Sequence, residues 1–279
     1  MDKTVLMEEM TWREIEDAMN SGKDTAILVA ASTEQHGPHL PTGTDTMIGY
    51  ALAEAVAAKL GNALVAPVIR PALSRHHMDF PGSVTLNMKT FVKVLEEYCF
   101  SLQKQGFKKI VLFVSHGGNA DALKAFVPGV AKKLERWIQV LYVYSLEKNI
   151  QSLQEFLAQK GITPARAGVH AGFSETAVML YLRPDLVNME KARPGLTDDS
   201  FYRPENIPKS KIDSFIHGIK SQSEIGILGD PTGADAEVGK EIFLKKVNDI
   251  VGEILKAVSK PQIAPEVKAR ADEKPQHTS

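Results

Sequence analysis

The chain has a single cysteine, Cys99, among its 279 residues. One thiol excludes an intramolecular disulfide and every CxxC metal site. Charge of one sign is also lacking: 33 Lys and Arg oppose 34 Asp and Glu, for a formal net charge of -1. That balance excludes a global electrostatic pull toward DNA, RNA or an anionic membrane. No aromatic–basic stripe is present, so no nucleic-acid or membrane partner is expected. No apolar run approaches the roughly 20 residues of a membrane span. Met1 to Glu16 is acidic and polar, with no apolar h-region and no twin arginine. It predicts a cytoplasmic protein. What remains is an ordinary globular composition, 43% apolar and 24% charged, which argues against a disordered, collagen-like or coiled-coil chain.

Short β-branched runs alternate with longer helical patterns. Thr25 to Ala31, Ala63 to Ile69, Lys109 to Ser115 and Ile138 to Ser145 are apolar runs too short for helices, and they read as strands. Asp45 to Leu60, Asn87 to Gln105, Asn119 to Arg136, Phe173 to Leu182 and Asp235 to Ser259 read as helices. Gly61, Gly106 and the pair Arg183-Pro184 supply the stops. This rhythm predicts an α/β fold, a mostly parallel sheet covered on both faces. Ligands in such sheets sit beyond the carboxyl ends of the strands. Residues 1–259 are expected to form one domain, and Lys260 to Ser279 a loosely held polar tail. Gly195 to Ser223, rich in Pro, Asp, Lys and Ser, reads as a surface excursion.

Three segments at that sheet edge carry chemistry. After the first strand comes Ser32-Thr33-Glu34-Gln35-His36-Gly37-Pro38-His39-Leu40-Pro41-Thr42-Gly43-Thr44-Asp45. Glu34 and His36, two apart in extended backbone, face one side. A carboxylate and an imidazole there suit a divalent metal. The Gly and Pro residues between form a turn that brings Asp45 back, although an N-cap role explains Asp45 as well. The third strand ends in Ser115-His116-Gly117-Gly118-Asn119, where glycines let a ligand approach the backbone. Asn119 also suits a plain N-cap. The third segment is Val169-His170-Ala171-Gly172-Phe173-Ser174-Glu175-Thr176. Glu175 opens a helix, where it could simply offset the dipole. Jointly, Glu34, Asp45 and Glu175 carry a charge of about -3, which two divalent cations and a bridging hydroxide would balance. With five ligands for two metals, Asp45 is the natural bridge. The chemistry is hydrolysis, with His170 as the proton shuttle.

These motifs, with His77-Met78-Asp79-Phe80-Pro81-Gly82 and Gly229-Asp230-Pro231, resemble those of the creatininase (creatinine amidohydrolase) family, in the family's order over most of residues 1–258. The resemblance implies a three-layer α/β/α sandwich and two divalent ions per chain, zinc or manganese, with iron in some relatives. It implies Glu34, His36, Asp45, His116 and Glu175 as ligands, and a homo-oligomer, commonly a hexamer. Three departures bear on the substrate. Creatininase itself follows the His matching His116 with Tyr and a metal-binding Glu; here Gly117 and Gly118 stand there. Val169 stands where it has a Glu. Its substrate-covering tryptophans have no match, since Trp12 and Trp137 lie in other elements. Creatinine is therefore not expected as the substrate.

The expected activity is cleavage of a C–N bond in a small amide, a cyclic one by preference. The alternatives are an oxidised inositol or lactone ring, a deformylase or peptide-type amidase, and a non-catalytic metal-binding protein. His170 and Glu175 are the catalytic candidates. His77, Gly117, Gly118 and Phe173 are the substrate-facing ones. His39 suits either orientation of a ligand or loop packing, Cys99 a small buried hydrophobe. The Lys and Glu residues between Lys240 and Lys256 read as a solvated helix face.

Overall fold

The computed structural model describes residues 4–144, 146–203 and 205–259. The expected tail at 260–279 lies outside them. Four strands, β1 (Thr25–Ala30), β2 (Ala63–Val65), β3 (Lys109–Val114) and β4 (Gln139–Tyr142), form one parallel sheet in the order β2-β1-β3-β4. Apart from Thr25, Lys109 and Gln139 at their starts, the strands are apolar, as suits a sheet covered on both faces. The helices are α1 (Trp12–Asn20), α2 (Thr44–Leu60), α3 (Met88–Gln105), α4 (Ala120–Lys133), α5 (Leu146–Ala158), α6 (Pro164–Ala167), α7 (Phe173–Leu182), α8 (Ile207–His217) and α9 (Ala236–Val258).

Alternation along β1 sorts the core into two halves. Ile27 and Val29 pack with α2, α7 and α9, whereas Ala26, Leu28 and Ala30 pack with α3 and α4. The result is the α/β/α arrangement that the alternation predicts. Several boundaries move. The second strand ends at Val65, and Ile69 makes only an isolated bridge to Ala30. Four helices were not legible, the single turn of α6 among them. α1 hides in the polar N-terminal stretch, where Thr11 and Glu14 form a capping box. α5 follows β4, and α8 lies inside the excursion read as loop.

The order β2-β1-β3-β4 reverses direction between β1 and β3. At such a switch point the loops leaving neighbouring strands diverge to opposite faces and open a crevice. The loops after β1 and β3 are those carrying Glu34, His36 and His116. α7 and α9 lie against each other backbone to backbone: a Cβ on Gly239 would stand 1.9 Å from the Ala177 carbonyl oxygen. Gly239→Ala is therefore expected to destabilise the chain by about 3 kcal/mol or more, the upper range for overpacking. A urea unfolding midpoint equal to that of the parent chain would contradict this packing.

Candidate active site

The run after β1 turns back on itself. The Glu34 N–H donates to Thr42 O at 2.9 Å, and His36 bridges to Leu40. Gly37 takes φ +66° at the turn, where a Cβ would also meet Ile227 Cγ1 at 2.6 Å. This return places Asp45 in the first turn of α2, next to the strand end it left. Gly43 occupies the N-cap position, so Asp45 is not the cap. Glu175 stands likewise in the first turn of α7. Both carboxylates face helix N-termini, whose partial positive charge favours them.

The five residues read as ligands meet. Glu34 Oε1 lies 3.1 Å from His116 Nδ1, and Asp45 Oδ2 lies 3.3 Å from the same nitrogen. Asp45 Oδ1 lies 3.4 Å from His36 Nε2, and Glu175 Oε2 lies 3.7 Å from it. Two clusters result, Glu34–Asp45–His116 and His36–Asp45–Glu175, each with donor atoms close enough to share an ion. Asp45 belongs to both. Further groups of this kind join Glu34 to His76 and His77, and to His36 and His170.

Glu34 Oε1, His36 Nε2 and Asp45 Oδ2 are buried without a hydrogen-bond partner. Leaving such an atom unpaired costs about 1–3 kcal/mol, so three converging ones fit a cation site. The remaining ligand atoms are pinned. His116 Nε2 donates to Leu73 O at 3.0 Å, and His36 Nδ1 to Glu34 O at 3.1 Å. Each ring therefore turns its other nitrogen inward, the usual device for orienting a histidine ligand. Glu34 Oε2 accepts from Ser32 Oγ at 2.9 Å, and Glu175 Oε2 from the Ala171 N–H at 2.6 Å.

Electrostatics point the same way. Burial opposes a charge on His36, but Asp45, Glu175 and Glu34 outweigh it and push its pKa up to about 10. Burial likewise opposes charge on His116, and Glu34 and Asp45 raise it well above its ordinary value. Burial lifts the Glu175 carboxyl, partly offset by His36. Burial would raise Asp45 too, but His36 and His116 hold it below the usual carboxylate range. Protons on two imidazoles thus compensate the acids, and these are protons a divalent cation would displace.

Gln35 organises the remaining histidines. The His170 Nε2 lies 2.8 Å from Gln35 O, which can only accept, so Nε2 carries the proton and Nδ1 is the open nitrogen. The Gln35 amide then donates to His77 Nδ1 at 2.9 Å and to Gly226 O at 3.0 Å. His77 Nε2 lies 3.4 Å from Glu34 Oε1, with no hydrogen bond between them. Asn119 is a tie rather than a side-chain cap. It accepts from Leu73 N and donates to the Ala30 and Ala31 carbonyls, which fixes the segment that holds His116.

A cavity of about 200 Å³ opens onto the cluster. Glu34, Asp45, His77, His116, Gly117, Gly118, His170 and Glu175 line it. Phe173 does not: it is buried in the core with the Arg166 guanidinium over its ring. Helical phase explains the correction, since Ser174 and Glu175 take the cavity side of α7. His39 packs the loop, its Nε2 2.8 Å from Thr176 Oγ1. Three contributors escaped the sequence. His76 lines the cavity with Nδ1 unpaired and its ring against Phe215 of α8. The excursion supplies wall residues through α8. Lys246, placed on a solvated helix face, lines the cavity instead. Its i±4 neighbours Ile242 and Ile250 are fully buried, the periodic signal that could have revealed it.

The structure thus presents a parallel α/β sheet with an imidazole–carboxylate cluster at its switch point. The sequence profile described as creatininase, creatinine amidohydrolase, matches residues 8–254, and the chain belongs to the creatininase family. Members of that family hydrolyse C–N bonds, and this chain is an enzyme of that class. It is 34% identical over 230 residues, 80% of this chain and 81% of the relative, to a mycofactocin precursor peptide peptidase of Mycolicibacterium smegmatis. A 3-dehydro-scyllo-inosose hydrolase of Thermotoga maritima is 27% identical over 85% of this chain and 78% of its own length. The creatinine amidohydrolase of Pseudomonas putida is 26% identical over 68% of this chain and 76% of its own. Among solved structures, a creatininase superposes with a TM-score of 0.73 at 23% identity, covering 93% of this chain and all of that one. A mutant creatininase described as Zn-Zn type and a creatininase described as Mn give 0.73 each at 22% identity, covering 93% and 92% of this chain and all of theirs. These likenesses show the fold.

Proposed function

We propose that the chain is a dinuclear metal-dependent hydrolase that cleaves a C–N bond in a small amide, a cyclic one by preference. The observation that carries this is the convergence of Glu34 Oε1, His36 Nε2 and Asp45 Oδ2, buried and unpartnered. Glu34, Asp45 and His116 would hold one ion, and His36, Asp45 and Glu175 the other. Zinc and manganese, named for two structural neighbours, both suit nitrogen and oxygen ligands, as does iron. Two such ions supply an acidified water and an electrophile for the carbonyl oxygen.

The protein's own groups do the rest. Burial, then the nearby His36, holds His170 well below its ordinary pKa, so its ring is neutral. With Nε2–H engaged by Gln35 O, Nδ1 is free to take a proton from the attacking water and return it to the departing nitrogen. Glu175, whose side chain is 23% exposed, is the second catalytic candidate. His77, Gly117 and Gly118 face the substrate, and His76 joins them. A cavity of about 200 Å³ is smaller than the ~300–1,000 Å³ of drug-sized sites, which favours a small molecule.

A peptide-type amide is the second reading, because the peptidase relative is more similar, at 34% against 26% for the creatinine amidohydrolase. An oxidised inositol ring stands third, on the Thermotoga relative. Creatinine is not proposed, given Gly117 and Gly118. With this reading go a single domain over residues 1–259, a cytoplasmic setting and a homo-oligomer, the hexamer of the family resemblance. Among the described residues no helix is long and apolar enough to cross a membrane. Chelation is expected to abolish turnover of at least one of a panel of cyclic amides, short peptides and an oxo-inositol, and Zn²⁺ or Mn²⁺ to restore it. Turnover undiminished after complete metal removal would overturn the proposal.

A further inference from the structure

The cavity wall carries a lysine that neither the mechanism nor, among the described residues, an ion pair uses. Lys246 stands on the core-facing row of α9, four residues from Ile242 and from Ile250, both fully buried. Two lysines line the cavity. Lys211 is paired with Asp121 at 2.8 Å. Lys246, among the described residues, has no hydrogen bond and no ion pair. Its neighbour Lys245 is engaged by Ser152 and Asp249, so the helix can pair a lysine where it needs one. Lys246 is itself half-buried, and an ammonium partly withdrawn from water costs free energy unless something compensates it. Burial pulls the Lys246 pKa down, while the Glu175 and Asp45 charges pull it back up. Glu175 and Asp45 are the charges that act on it among the described residues, and both belong to the proposed metal clusters. Cations held by them would leave the ammonium without a counter-charge among the described residues.

We infer that Lys246 receives a carboxylate carried by the amide substrate, so that the enzyme selects anionic over neutral amides. A single ammonium matches a single negative charge. A phosphate dianion would call for more donors, as in Arg forks or helix N-terminal nests. The inference rests on the amide-hydrolase reading and deepens it. Glu34, Asp45, His116 and Glu175 mark one part of the cavity wall, and Lys246 sets the distance at which a substrate's carboxylate is read.

The test is calorimetric titration of the full-length protein with succinamate and with its neutral counterpart succinamide. Succinamate is expected to bind about tenfold more tightly, or about 1.4 kcal/mol. Lys246→Met should erase that preference while leaving succinamide binding unchanged, and Lys246→Arg should keep it. Equal binding of the two by the parent protein overturns the inference. So does absence of succinamate binding at millimolar concentration, or a preference that survives Lys246→Met. If Lys246 were only a structural counter-charge, the variant would lose stability and keep the preference. If Lys246→Met does not fold, the comparison on the parent protein decides alone. Metal content measured on the same samples separates the two proposals: a missing preference at full metal occupancy sinks only this one, and a metal-free parent protein sinks the other.

Discussion

Asp45→Asn is expected to lower turnover by roughly 10³-fold or more, about 4 kcal/mol in the barrier, and to strip the protein of metal. The carboxylate is shared by both ligand clusters, with Oδ1 3.4 Å from His36 Nε2 and Oδ2 3.3 Å from His116 Nδ1. An amide of the same shape removes the charge and places an N–H₂ donor against a ring nitrogen that also turns inward. Neither cluster can then assemble its charge. Glu175→Gln touches one cluster only and should retain more metal than Asp45→Asn. Elemental analysis with kcat and KM measurement checks both. Full occupancy in Asp45→Asn, or turnover within tenfold of the parent, would end the shared-ligand reading.

Gly118→Ala is expected to weaken metal binding by about 10–100-fold, the usual cost of losing a ligand's supporting contact, with the fold retained. The new methyl would lie 2.2 Å from His116 Nε2 and 2.6 Å from Leu73 O. These are the two atoms of the 3.0 Å bond that turns His116 Nδ1 inward. The backbone at Gly118 has no positive φ, so the effect is steric and falls on the ring. Metal titration followed by calorimetry measures it, and circular dichroism checks the fold. Unchanged affinity would mean that the ring finds its orientation without Leu73. The result also bears on why the glycine is there: it gives the imidazole room at least as much as it gives the substrate room.

The strands were legible because apolar runs of seven or eight residues, ended by turn residues, are too short for a core helix and suit a buried strand in an α/β chain. β1 and β3 appear within a residue of the expected bounds. α1 and α5 were missed because their amphipathic patterns are short and polar, and α8 because a run rich in Pro, Lys and Ser resembles a loop. Glu34 and His36 were legible from period-two spacing at a strand end, and Glu175 from its place at a helix start. Phe173 was misplaced because two residues of helical phase separate it from Glu175. Lys246 was misplaced because a lysine within a charged helix suggests solvent, whereas its row, Ile242 and Ile250, points to the core. Gln35 lay in view within its motif, but its role depends on partners that the motif does not contain.

Local rules act over a few residues, and within that range the chain's own order decided much. It set the alternation of strands and helices, the strand ends where side chains gather, and the chemical types placed there. Tertiary structure decided which of those side chains meet and which nitrogen each ring presents. The Gln35 amide reaches His77, 42 positions away, and Gly226, 191 positions away. The backbone carbonyl of the same residue takes the His170 proton across 135 positions. Separations of that kind are closed by the packing of helices on both faces of a sheet, a long-range outcome that no local pattern encodes. The same packing turned Lys246 inward and Phe173 away.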